Sequence, residues 1–328
     1  MEELKGICDQ LGLAGFKAKE IFRFIHQKLG TSLEQLTTLK LEEREKLKGS
    51  FYISDLMPKK TEKGKRVKKT SLGLEDGQMV ETVLMDYGPD RKTICVSSQV
   101  GCPMGCKFCA TGKMGHSRNL TAAEILSQVY YFAKGHKVSN IVFMGMGEPF
   151  LNYNNVMKAA RTLNHATGLN IASRKIVLST IGILSGIRQL SAEKEQFRLA
   201  WSLVSPSEQT RGELLAYKNI PSIAETIKAL KEYQEKTKRR ITIEYVVLGG
   251  VNDRDMDITG LVRTAKNLDC HVNLIPYNAV PGCLFLPGDI DRVYQKLKAA
   301  GVNATIRQSL GQEISAACGQ LAAKTPKL

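Results

Sequence analysis

The sequence contains no run of about 18 consecutive apolar residues, which excludes a membrane-spanning helix and a membrane-embedded role. Its start, Met1-Glu2-Glu3-Leu4-Lys5, lacks the apolar core of a secretory signal and predicts a cytoplasmic protein. No fixed-period repeat is present, so a solenoid is not expected. Acidic residues are in short supply, with 32 against 47 basic ones and a net charge of +15. A surplus of that size suits a polyanionic partner, either nucleic acid or an anionic membrane surface. The length of 328 residues and the 43% hydrophobic content support a folded core with room for a smaller appendage.

The chain falls into four stretches. Residues 1–55 read as helical, with Ile21, Phe22, Phe24 and Ile25 near helical spacing, a capped start at Ser32 and another helix near Leu41 to Leu47. Their expected role is that of an RNA-binding accessory domain. Residues 56–91 form a basic linker or β extension. Its run from Lys59 to Lys69 holds seven basic residues and one acid. It reads either as a solvated hairpin or as an arm for phosphates, which would give affinity but no base selection.

From residue 92 to 310 the pattern alternates between strand and helix. Strands are expected at Thr93–Ser97, Ile141–Met144, Lys175–Ser179, Arg198–Ser202, Ile241–Val247, Val272–Pro276 and Asn303–Arg307. Helical periods lie between them, as in Thr121–Lys134, Tyr153–Ala166, Ile223–Lys236 and Asp257–Leu268. This is an α/β pattern with parallel strands. Six or so such units make a partial barrel with functional residues at the strand C-terminal ends. Residues 311–328 form a short C-terminal segment.

Eight cysteines are present, and three crowd one loop as Cys102-Pro103-Met104-Gly105-Cys106-Lys107-Phe108-Cys109. In a reducing compartment such crowding points to metal or catalysis rather than to structural disulfides. A [4Fe-4S] cube usually takes four thiolates, so three would leave one iron open. Structural zinc is the rival reading; it prefers four protein ligands, and His116 is the nearest candidate for the fourth.

Further motifs surround the triplet. Ile94-Cys95-Val96-Ser97-Ser98-Gln99-Val100-Gly101 runs into it, and Phe143-Met144-Gly145-Met146-Gly147-Glu148-Pro149 follows the next strand. Ala316-Ala317-Cys318-Gly319-Gln320-Leu321 lies near the end. Together they resemble the radical S-adenosylmethionine (SAM) RNA adenine methyltransferases. That family acts on carbon 2 of an adenine in 23S rRNA and tRNA, and a relative acts on carbon 8 of the same rRNA adenine.

The resemblance implies a partial (β/α)6 barrel with a small helical N-terminal domain and a C-terminal segment folded over its mouth. It implies a [4Fe-4S] cluster on Cys102, Cys106 and Cys109, with S-adenosyl-L-methionine as the second cofactor. It implies methylation of an adenine ring carbon, carbon 2 in the first instance, in 23S rRNA and possible tRNA targets. Cys318 would carry the methyl group, Cys95 would resolve the RNA adduct and Glu81 would take the ring proton. Gly147, Glu148, Ser179, Ser202, Leu203, Val204 and Asn278 would contact S-adenosylmethionine. Val204 stands where the family usually has histidine, so only its backbone could make a polar contact. A monomer served by an electron donor such as flavodoxin or ferredoxin is expected. Residues 223 positions apart can share a relay only if the C-terminus folds back, and Gly319 is read as allowing close backbone approach there.

Overall fold

The computed structural model describes residues 1–322. The first layer is helical: α1 (Glu2–Gln10), α2 (Phe16–His26) and α3 (Leu41–Lys48). Helix α2 turns Ala18, Ile21 and Phe24 inward, and they pack with Cys8, Leu33, Leu36, Leu39 and Leu47 in a small core of their own. The helix expected to start at Ser32 is only a 3-10 turn, Leu33–Gln35, capped by Ser32 Oγ accepting from the Glu34 amide. Leu33, Leu36 and Leu39 are all buried at a spacing of three, which the tighter turn allows and an α-helical face does not.

The basic run forms a hairpin of β1 (Met57–Lys63) and β2 (Val67–Gly73), and β3 (Met79–Asp86) completes an antiparallel meander. This meander is continuous with the main sheet, because β3 pairs with β4 (Lys92–Cys95). Several of the basic residues have internal partners. Lys69 is buried between Glu62 and Glu81, at 3.1 and 3.3 Å, and Arg66 donates to the Asp86 carbonyl. Lys68 lies over the Tyr131 ring. Among the described residues, Lys59, Lys63 and Lys65 have no carboxylate partner within an ion-pair distance.

Beyond β4 the chain makes a short pair, β5 (Gln99–Gly101) and β6 (His116–Asn119), with α4 (Ala110–Lys113) between them. Then strand and helix alternate: α5 (Ala122–Ala133), β7 (Asn140–Phe143), α6 (Tyr153–Asn164), β8 (Ile176–Thr180), α7 (Leu184–Ser191) and β9 (Arg198–Ser202). The series continues with α8 (Glu208–Leu214), α9 (Ile223–Thr237), β10 (Ile241–Val247), α10 (Asp255–Lys266), β11 (Cys270–Pro276), α11 (Ile290–Ala299) and β12 (Ala304–Ile306). Capping boxes start two of these helices, Thr121 with Glu124 at α5 and Ser222 with Glu225 at α9.

Strands β4, β7, β8, β9, β10, β11 and β12 are consecutive and parallel, one strand more than a six-unit barrel needs. Both faces of β10 are covered, as in other parallel sheets, and Ile243, Tyr245 and Val247 are fully buried. Among the described residues β12 does not pair back onto the other edge, so the barrel stays open.

Candidate active site

All seven parallel strands present their C-terminal ends to one mouth, where the functional residues gather. After β5 the loop carries Cys102, Cys106 and Cys109; α4 starts directly behind Cys109. A cavity of about 190 Å³ opens there, and its wall includes all three cysteines with Gly147, Glu148, Ser179, Ser202, Val204 and Cys318. A smaller one, of about 60 Å³, adjoins it and is lined by Cys95, Cys109, Met144, Arg307 and Cys318. Cys318 therefore belongs to both walls, facing the triplet on one side and Cys95 on the other.

The C-terminal segment is what places Cys318. The Gly319 carbonyl accepts from the Ala110 amide at 2.7 Å and the Leu321 carbonyl from Thr111 Oγ1 at 2.6 Å. Asn278 Nδ2 donates to the Cys318 carbonyl at 3.0 Å, and Gln320 Nε2 donates to Ala279. The segment is thus tied to the cluster loop and to the loop after β11. Gly319 has φ +85, which explains glycine there; an added Cβ would meet only the Phe108 carbonyl at 3.8 Å, so close approach is not the reason. At Gly147, φ +104, both reasons apply, because a Cβ would come within 2.8 Å of the Gln99 backbone.

Burial governs the thiols. It pushes Cys95 and Cys102 up to about 12, and it raises Cys106 and Cys109 as well. Three neighbouring thiols that resist ionisation alone are a donor set suited to positively charged iron, which reverses the penalty. Among the described residues, no three His, Cys, Asp or Glu side chains converge as ligands of one metal ion. A cube presents a separate iron to each thiolate and needs no such convergence. His116 is exposed on β6 and does not line the cavity. All eight thiols are free.

Glu148 is fully buried, and burial raises its carboxyl to about 7. Its two oxygens accept from the Phe150 and Ile181 amides at 3.1 and 3.0 Å. Ser179 Oγ and Ser202 Oγ lie 3.2 Å apart across β8 and β9. Val204 has φ +66, in a tight γ-turn closed by the Ser205 amide on the Leu203 carbonyl. A β-branched residue in that region is strained, on the order of 1–3 kcal/mol, and such strain gathers at functional sites.

Three expected residues stand elsewhere. Leu203 is fully buried in the hydrophobic core and lines neither cavity. The Asn278 amide group is occupied by the Cys318 carbonyl and by Gln312 Nε2, so it positions the C-terminal segment rather than reaching into the cavity. Glu81 also lies off both walls. Its carboxylate accepts from the Ala322 amide at 2.8 Å and from Ser71 Oγ, beside the Lys69 ammonium.

Sequence reasoning misses Arg307, just past β12. It is almost wholly buried, lines both cavities and lies 3.8 Å from Glu244. Negative charge on Cys318 is the largest cause that holds its guanidinium above its ordinary value. The basic residue type and its place after a strand were the available signals. Nothing in the local sequence pairs it with Cys318.

Comparison with known proteins bears on this arrangement. The radical SAM superfamily model matches residues 96–261. A probable dual-specificity RNA methyltransferase RlmN from Dictyoglomus thermophilum is 41% identical over 333 residues, covering 98% of this chain and 95% of the relative. One of the same name from Clostridium perfringens is 42% identical over 328 residues, covering 98% and 94%. The chain belongs to the RlmN family of radical SAM RNA methyltransferases. The crystal structure of a radical SAM methyltransferase from Sphaerobacter thermophilus superposes with a TM-score of 0.93 at 41% identity, covering 98% of this chain and 97% of that one. For an RlmN-family chain, the partial barrel with its C-terminal segment across the mouth is the shared framework. Among the described residues no helix is long and apolar enough to cross a membrane.

Proposed function

We propose that this chain methylates carbon 2 of an adenine in structured RNA of the 23S rRNA and tRNA type, through a methyl group carried on Cys318. The double placement of Cys318, against the cysteine triplet and against Cys95, carries the reading. Adenine carbon 2 is electron-poor and offers no nucleophile to a sulfonium, so direct methyl transfer does not suit it.

Cys102, Cys106 and Cys109 would hold a [4Fe-4S] cluster, with S-adenosylmethionine beside Glu148, Ser179 and Ser202. Bound together, those groups supply a 5′-deoxyadenosyl radical. The protein's own part is a sulfur relay. The Cys318 thiol takes a methyl group from S-adenosylmethionine and loses its proton. That carbon, after losing a hydrogen atom and joining the adenine, ties the RNA to the Cys318 sulfur. Glu81 is the base for the ring proton; it reaches the ring only when the C-terminal segment lets go of it at Ala322.

Cys95, as thiolate, then attacks the Cys318 sulfur. The sulfur–carbon bond breaks, its electron pair stays with the carbon, which takes a proton, and a Cys95–Cys318 disulfide remains. Burial opposes that thiolate and Arg307 favours it. Reducing the disulfide restores the relay. The N-terminal helices and the free lysines of the β1–β2 hairpin would contact RNA phosphates, a monomer would suffice, and flavodoxin or ferredoxin would supply electrons.

An anaerobic assay on unmodified rRNA and tRNA, with the product located by mass spectrometry, tests this. Cys318→Ala should abolish methylation, and Cys95→Ala should accumulate a covalent RNA–protein adduct. Full methylation by Cys318→Ala would rule out the carrier role.

A further inference from the structure

The segment after β11 behaves unlike the other loops at the mouth. It is pinned along its length. Lys113 Nζ donates to the Gly282 carbonyl, Cys283 Sγ donates to the Lys107 carbonyl at 3.1 Å, and the Leu286 carbonyl accepts from the Gly249 amide at 2.9 Å. Between these ties the side chains alternate. Cys283 and Phe285 turn inward, and the Phe285 ring meets Tyr277 edge to face at 6.2 Å. Leu284 and Leu286 turn outward on one face, 99% and 70% exposed.

A single exposed leucine needs no explanation. Two on one face of a fixed rim, beside the loop that carries the cysteine triplet, are different. Tyr277, which supports Phe285, itself lines a chamber shared with Phe108 and Cys318. Exposed Lys107 and Lys113 flank the same rim and supply charge that suits phosphates.

We propose that Leu284, with Leu286 beside it, is a wedge that enters the base stack of the RNA and fills the space left by the extruded adenine. The inference rests on RNA methylation at the cavity described above. The reacting sulfur lies inside that cavity, so a stacked adenine cannot present a ring carbon to it. The base must leave its stack, and unstacking is unfavourable unless something apolar replaces it. A leucine held out on a rigid rim does so without first being ordered. The lysines on either side fix the strand by its phosphates, and the wedge itself reads no base.

The test compares two RNAs with the parent and the Leu284→Ser protein. One carries the target adenine stacked in its native context, and the other places it in a bulge where it is already unstacked. Leu284→Ser should lower kcat/KM on the native RNA by about 30-fold and on the bulged RNA by no more than about 3-fold. Leu284→Met should stay near the parent on both. With 2-aminopurine at the target position, the parent should raise its fluorescence on binding and Leu284→Ser should not. Equal activity of Leu284→Ser and the parent on native RNA overturns the wedge, and so does an equal loss on both RNAs. Failure of the parent itself to methylate either RNA would instead count against the proposed function.

Discussion

The mouth of the barrel and the N-terminal helical layer solve opposite problems. In the helical layer every choice favours folding: an apolar face on α2, a capping interaction at Lys40 with Glu43, and a compact core around the fully buried Ile21. At the mouth the choices go against local preference. Buried thiols are pushed up, a valine sits at positive φ, and an arginine is buried among them. The contrast teaches where the chain's stability is put to chemical use, since residues that break local rules without helping the fold cluster at the site.

Substitutions in the two regions should therefore separate activity from stability. The largest effect belongs to the mouth. Cys106→Ser should eliminate formation of 5′-deoxyadenosine from S-adenosylmethionine by the reduced, reconstituted protein, while circular dichroism stays that of the parent. Normal 5′-deoxyadenosine formation would break the comparison, because the triplet would then not hold the cluster.

In the helical layer Ile21→Ala should cost about 3 kcal/mol in denaturant unfolding, from lost transfer energy and the cavity left behind. It should leave 5′-deoxyadenosine formation in place below the unfolding transition. A smaller effect concerns His26, at the seam between this layer and α5. Its Nδ1 is 2.6 Å from Tyr130 Oη, and burial pushes its pKa down to about 3 from the model value of 6.5. The unfolded chain therefore binds the proton more readily. The contribution of His26 is fully present above pH 6.5 and is lost as pH falls toward 3. At pH 5 that loss is about 2 kcal/mol. Stability of His26→Asn should fall less steeply than that of the parent between pH 6.5 and 5. Parallel curves would show that the seam does not exclude the proton.

The barrel was largely legible in the sequence because parallel strands buried on both faces leave apolar runs with helical periods between them. Strand β9 spans Arg198–Ser202 and β10 spans Ile241–Val247, as periodicity predicts. The cysteine triplet was legible because its ligands are close in sequence. What escaped depends on contacts between distant segments. Arg307 gains its meaning from Cys318 and Glu244, and Asn278 from the backbone of a segment 40 positions later. Leu203 is drawn into the core although its neighbours Ser202 and Val204 face the cavity. The Ser32 cap was correctly read as a cap, but the leucine spacing behind it permits only a single 3-10 turn.

The most direct measurement supplies S-adenosylmethionine with a fully deuterated methyl group and weighs the methyl delivered to RNA. A sulfur-bound methyl that gives up one hydrogen atom before joining the adenine must reach the product with two deuterium atoms and one hydrogen, and the 5′-deoxyadenosine must carry the third deuterium. A product that keeps all three would show direct transfer and would contradict the Cys318 relay.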